Sequence, residues 1–183
     1  MSQSINLYKQ LANHKLFNKS VNFGLKRIKL ALALLGHPEK KLKNVISVVG
    51  ESGKFTTLFS LKSFIEASNQ NVTTHISPSL RDIRERFYMG EKYLSHKEIK
   101  KTIKQIEKLN IPLTVFECLT LVYIINASKI NVDYNIQETG ALWRLDSNNI
   151  NDFPRLQICT NINKQHLNFL NSSFTCIINS LEI

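Results

Sequence analysis

Apolar positions fall into two kinds of pattern along the chain. Leu25, Ile28, Leu32 and Leu35 recur at helical spacing and stop at Gly36 and Pro38, a helix-ending pair. Val45 to Val49 is a continuous β-branched run and reads as a buried strand. Leu58, Leu61 and Ile65 then share one helix face. Asn71 to Ile76 reads as a second strand leading into Ser77-Pro78. Ser95 and Glu98 have capping-box spacing. Behind them Ile99, Ile103 and Ile106 form a stripe, with Lys100, Lys101, Lys104 and Lys108 mostly away from it on a solvated face. Leu113 to Ala127 is the most apolar segment and is long enough for a buried helix. Glu117 inside it is either paired internally or lines a site. Val132 to Ile136 and Leu156 to Thr160 read as further strands.

Strands alternating with helices predict an α/β fold. The expected architecture is a mainly parallel sheet with helices on both faces and Val45 to Val49 as a central strand. Ligands in such sheets sit at the carboxyl ends of the strands. Gly50, Ser77, Glu138 and the stretch from Asn161 to His166 all fall at or just after a predicted strand end.

The first of these positions carries recognisable chemistry. Gly50-Glu-Ser-Gly53-Lys54-Phe-Thr56-Thr57 joins a predicted strand to a predicted helix. Two glycines let backbone approach a ligand closely, the helix N-terminus favours anions, and a lysine adds charge. This is how a loop cradles phosphates, although the string lacks the full spacing of the common P-loop, and an ordinary βα turn with an exposed lysine fits it as well. Thr56 either binds phosphate or metal through its hydroxyl or caps the first turn.

Composition narrows the class. At 183 residues and 43% hydrophobic, the chain can bury a core as one domain and is not of disordered composition. Cys118, Cys159 and Cys176 are odd in number and widely spaced, which fits a reducing cytoplasm better than a disulfide framework. No apolar run reaches membrane-spanning length, and no signal-type apolar core stands at the N-terminus. The net charge of +10 admits a basic nucleic-acid-binding protein. The lysines are instead spread over solvated helix faces, without aromatic interleaving.

Several motifs in order resemble bacterial folylpolyglutamate synthase/dihydrofolate synthase, a Mur-ligase-like family. The phosphate loop stands where that family carries Gly-Thr-Asn-Gly-Lys-Gly-Ser-Thr. Ser77-Pro78-Ser79-Leu80 resembles its Ser-Pro-His-Leu, followed by Glu85-Arg86, and Leu113-Thr114-Val115-Phe116-Glu117 matches its Leu-Thr-x-Phe-Glu. Glu138 to Asn149 resembles Glu-Val-Gly-Leu-Gly-Gly-Arg-Leu-Asp-Ala-Thr-Asn, and Thr160 to His166 resembles Thr-Asn-Ile-Gly-Leu-Asp-His. The likeness covers about residues 20–170; residues 171–183 diverge.

The resemblance implies a P-loop-like Mur ligase central domain. It implies ATP held by Gly50, Gly53, Lys54, Thr56 and Thr57, and Mg2+ held by Ser77, Glu138 and His166. It further implies ATP-dependent addition of glutamate to folate through an acyl phosphate. Arg144 and Asp146 are expected to pair and orient their loop. Four family glycines are replaced, by Phe55, Leu142, Trp143 and Asn163, and Glu51 brings a negative charge where the family has Thr. These losses predict a distorted or closed loop. Residues 1–183 are therefore expected to be a single truncated ATP-binding domain lacking the C-terminal ligase domain, with little or no ligase activity alone unless a separate chain supplies it. A non-catalytic nucleotide-binding or scaffold module is the alternative.

Overall fold

The structure, a computed structural model, describes residues 7, 9–11, 13–14, 17–18, 24–140 and 144–161. In chain order the elements are β1 (Phe17–Asn18), α1 (Lys26–Leu34), β2 (Val45–Val49), α2 (Lys54–Ala67), β3 (Val72–His75), β4 (Phe87–Met89), α3 (His96–Glu107), β5 (Leu113–Thr114), α4 (Val115–Ala127), β6 (Tyr134–Glu138) and β7 (Leu156–Cys159). The main sheet runs β4-β3-β6-β2-β7. Its four strands β3, β6, β2 and β7 are mutually parallel, and β4 is antiparallel to β3 at the edge. The mainly parallel α/β fold expected from the sequence is therefore present. Strand β2 is interior, flanked by β6 and β7, while the middle place belongs to β6. A two-stranded parallel pair, β1 with β5, stands apart.

Alternation along the strands sends side chains to two different cores. Ile46 and Val48 of β2, Val72 of β3 and Ile136 of β6 pack with Leu58 and Ile65 of α2. Leu61, expected on the same stripe, is only partly buried there. The opposite face meets α4, which is apolar almost all round and lies beneath α1 and α3. Ile28 and Leu32 of α1, Ile99, Ile103 and Ile106 of α3, and Leu119 and Val122 of α4 belong to this larger core. Helix α4 begins at Val115 rather than at Leu113 because Thr114 and Glu117 cap it. The Thr114 hydroxyl accepts from the Glu117 N–H at 3.1 Å, and the Glu117 carboxylate accepts from the Thr114 N–H at 2.7 Å. The same carboxylate pairs with Arg27 of α1 at 3.1 Å. Glu117 is thus the internally paired alternative, and it ties α1 to α4.

The sheet face under α4 is unusually polar. Thr73 and His75 of β3, Asn135 and Gln137 of β6 and Ser47 of β2 are all buried there. Thr73 bonds Tyr123 of α4 at 2.8 Å and donates to Asn135 at 2.7 Å. His75 lies in an aromatic nest of Phe87, Phe116 and Tyr123, with ring centroids 5.7, 6.3 and 5.1 Å away. Burial, with Arg86 nearby, pushes its pKa down to about 3.

A histidine held neutral in the fold makes stability depend on pH. Between the unfolded value of 6.5 and about 3, the unfolded chain binds a proton that the folded chain does not, so stability falls as pH drops through that window. His75 alone contributes a slope of up to about 1.4 kcal/mol per pH unit. Urea unfolding at pH 5, 6 and 7 should show a smaller loss of stability on acidification in His75→Phe than in the wild type. Equal slopes would refute the assignment.

Candidate functional site

The carboxyl ends of β2, β3, β6 and β7 lie at one edge of the sheet, since the strands are parallel. Gly50 follows β2 with φ +125°, and Gly53, with φ +82°, is the N-cap of α2. No side chain caps that helix start. The Lys54 ammonium turns back over the loop and donates to the carbonyls of Gly50 at 2.8 Å and Glu51 at 3.3 Å. Thr56 and Thr57 lie in the first turn.

The family glycine replaced by Phe55 falls inside α2, where the backbone is helical and glycine is not required. The Phe55 ring leaves the loop and packs on Phe59 one turn on, with centroids 4.4 Å apart. Both glycines with positive φ survive. At Phe55 the glycine loss does not close the loop as expected. Leu142, Trp143 and Asn163 lie outside the described residues.

Two of the three expected metal-binding residues meet directly. The Ser77 N–H donates to Glu138 Oε2 at 3.0 Å. Ser77 follows β3, and Glu138 ends β6 with its side chain on the α2 side, as Ile136 is. Glu138 is only 3% exposed. Burial raises its pKa, opposed by the Ser77 N–H and by the positive charges of Lys54 and Arg86. Those two attractions link the carboxylate to the Lys54 loop on one side and to the end of the 3-10 turn Ile83–Arg86 on the other. His166, the third expected ligand, lies outside the described residues. Among the described residues no group of three His, Cys, Asp or Glu side chains gathers as a metal-binding set. A buried carboxylate beside a serine, close to a lysine-bearing loop, is hard-oxygen chemistry that fits a hydrated divalent cation shared with phosphate.

The surrounding loops are held by side chains; sequence reasoning gives Glu85 and Asn148 no role here, whereas Asp146 is expected to orient its own loop. Glu85 accepts from the N–H groups of Leu80 and Arg81 at 2.8 and 3.1 Å, which shapes the turn after Ser77. Asn148 donates to the Glu138 carbonyl at 2.7 Å and presents its oxygen to His75 Nδ1 at 3.4 Å. Asp146 takes the Gly140 and Asn148 N–H groups at 3.0 and 2.9 Å. A signal for Asn148 did exist: a short polar run, Asp146-Ser-Asn-Asn149, in a loop that returns to a buried strand end.

Comparison with known proteins follows this geometry. No family model matches the chain. The dihydrofolate synthase/folylpolyglutamate synthase of Bacillus subtilis is 31% identical over 159 residues, covering 82% of this chain and 36% of the relative. Its Buchnera aphidicola (Schizaphis graminum) counterpart is 36% identical over 151 residues, 81% of this chain and 35% of the relative. Among solved structures, Escherichia coli FolC in complex with DHPP and ADP superposes with a TM-score of 0.83 at 30% identity, over 94% of this chain and 41% of that one. A bifunctional folylpolyglutamate synthase/dihydrofolate synthase with Mn, AMPPNP and L-glutamate bound gives 0.72 at 29%, over 81% and 36%. Sequence, order of motifs and fold agree: the chain belongs to the dihydrofolate synthase/folylpolyglutamate synthase family, spanning little more than a third of the length of the relatives it matches.

Proposed function

We propose that this chain carries the nucleotide and metal site of an ATP-dependent ligase that joins glutamate to a folate. The observation that supports it is the contact between Ser77 and Glu138 at the strand edge that bears the Lys54 loop. In this reading the N–H groups around Gly53 and the first turn of α2, with Gly50, Lys54, Thr56 and Thr57, receive the phosphates of ATP. Ser77 and Glu138, with His166, hold Mg2+. The metal when bound neutralises phosphate charge. Lys54 adds a fixed positive charge, Glu138 supplies a carboxylate preorganised by the Ser77 N–H, and Asn148 fixes the backbone from which Glu138 projects. Ligation itself, with folate and glutamate as substrates, belongs to the whole enzyme. This span binds nucleotide, and the parts of the relatives it does not match, in the same or a separate chain, supply the glutamate site. The cytoplasm is the compartment in which ATP and folate meet it.

Isothermal titration with ATP, with and without Mg2+, tests the reading. Binding should require the metal and weaken at least about tenfold in Lys54→Ala, the loss of about 1.4 kcal/mol. Glu51→Thr should tighten binding by removing a carboxylate near the phosphates, whereas Phe55→Gly should not, because the ring already lies on Phe59. No Mg-ATP binding by the wild type would end this reading.

Glu138 offers a separate check with opposite signs for stability and function. Its folded pKa is raised, so folding favours the neutral form and the ionised form weighs against stability at pH 7. Glu138→Gln keeps an oxygen for the Ser77 N–H and removes the buried charge. Its metal-free Tm should rise by about 2–4 °C, the shift for roughly 1 kcal/mol in a domain of this size. Its metal-dependent ATP binding should be lost. A lower Tm would mean that Lys54 and Arg86 stabilise the carboxylate more than burial disfavours it.

A further inference from the structure

The first half of the phosphate loop is held from beyond the neighbouring strand. The Thr160 N–H donates to the Val49 carbonyl at 3.0 Å, extending the β2–β7 pairing past Cys159, and the Thr160 hydroxyl donates to the same carbonyl at 3.2 Å. This brings Asn161 against the loop. The Asn161 backbone carbonyl accepts from the Glu51 N–H at 3.2 Å. Its side-chain Oδ1 accepts from the Glu51 N–H at 3.3 Å and from the Ser52 N–H at 2.9 Å. The amide orientation is dictated by its partners, since two backbone donors require the oxygen and not the NH2. A Cβ on Gly50 would strike the Thr160 hydroxyl and lie 2.9 Å from the Asn161 carbonyl, so this glycine makes room for residues 160–161. The nucleotide reading above uses none of these contacts.

We propose that Asn161 is a positioning residue for the phosphate loop. It takes the N–H groups of Glu51 and Ser52 and so withdraws these two donors from the anion site. The inference rests on the nucleotide reading for its purpose, and on the three hydrogen bonds to Asn161 for its mechanism. Two orphan-prone donors are satisfied by protein, which sets the loop shape before ligand arrives. The N-terminal turn of α2 is left without a side-chain cap and open to phosphate oxygens. The N–H groups of the α2 start face the ligand, while those of Glu51 and Ser52 face Asn161.

Amide hydrogen exchange and Mg-ADP titration on the same 183-residue chain test this. In Asn161→Ala the Ser52 amide, whose acceptor is the side chain alone, should exchange at least about tenfold faster, the Glu51 amide keeps the residue 161 backbone carbonyl, and Mg-ADP affinity should fall about tenfold, for a loss near 1.4 kcal/mol. Exchange in β2 and β6 should stay unchanged. Asn161→Asp keeps an acceptor oxygen at the same place, so slow exchange of the Ser52 amide should return. Unchanged exchange of Ser52 in Asn161→Ala would overturn the proposal. So would a rise in Mg-ADP affinity in that variant, which would make Asn161 an occupant of the anion site instead of a support for the loop. If the wild type binds no Mg-ADP, the nucleotide reading fails by itself, and the exchange comparison still decides whether Asn161 holds the loop.

Discussion

Strand β6 pairs in parallel with β3 on one side and β2 on the other, opposing His75 to Gln137 and Val48 to Glu138. This double pairing fixes the register of the strand to the residue. Because side chains alternate, a slip of one position would send Glu138 to the α4 face and bring Gln137 to the α2 face. The carboxylate would then leave Ser77 and the lysine loop. Three loops converge on the same sheet edge because three parallel strands end there, each delivering one element of the site. Gly50 comes from β2, Ser77 from β3 and Glu138 from β6.

The register carries a second consequence on the other face. It aligns Ser47, Gln137 and His75 in one row beneath α4, all buried. The Ser47 hydroxyl, both polar atoms of the Gln137 amide and His75 Nε2 have no hydrogen-bond partner among the described residues. A row of this kind is costly under an apolar helix. Asn148 satisfies the other ring nitrogen of His75 and simultaneously holds the Glu138 carbonyl. The polar layer and the strand edge bearing Glu138 are therefore joined through one side chain, and the loop after β6 is shaped by buried hydrogen bonds.

The helical layer supplies rigidity by different means. Glu117 closes a capping box with Thr114 and pairs with Arg27, so the start of α4 and the body of α1 are locked by one buried carboxylate. Replacing either partner alone would leave a charge in a dry setting, which is far more unfavourable than losing a surface pair. Phe116, one residue earlier, lies so close to Gly140 that a Cβ there would fall 2.7 Å from its ring. Glycine at 140 is needed for this close approach. The helix start, the His75 nest and the loop after β6 are packed as one unit.

The sequence by itself determined the four parallel strands of the main sheet, the four main helices, and the family. Those follow from short-range rules: β-branched runs, helical stripes, a capping pair at Ser95 and Glu98, and glycines before a lysine. The Gly50 to Lys54 turn and the α2 helix starting at Lys54 stand where the pattern put them. Boundaries were less legible. Strand β6 runs Tyr134–Glu138, two residues later than its apolar pattern, because Asn135 and Gln137 are buried polar residues that hydrophobicity does not mark. The antiparallel β4, the partnering of Glu117 with Arg27 across 90 positions, and the seat of Asn161 on the loop at residues 50–54 depend on elements distant in the chain. The glycine lost at Phe55 predicts a distorted or closed loop, but that position is helical and its ring packs on Phe59. Local periodicity writes the elements into the chain, whereas partners across the sheet exist only once register and packing have brought them within hydrogen-bond distance.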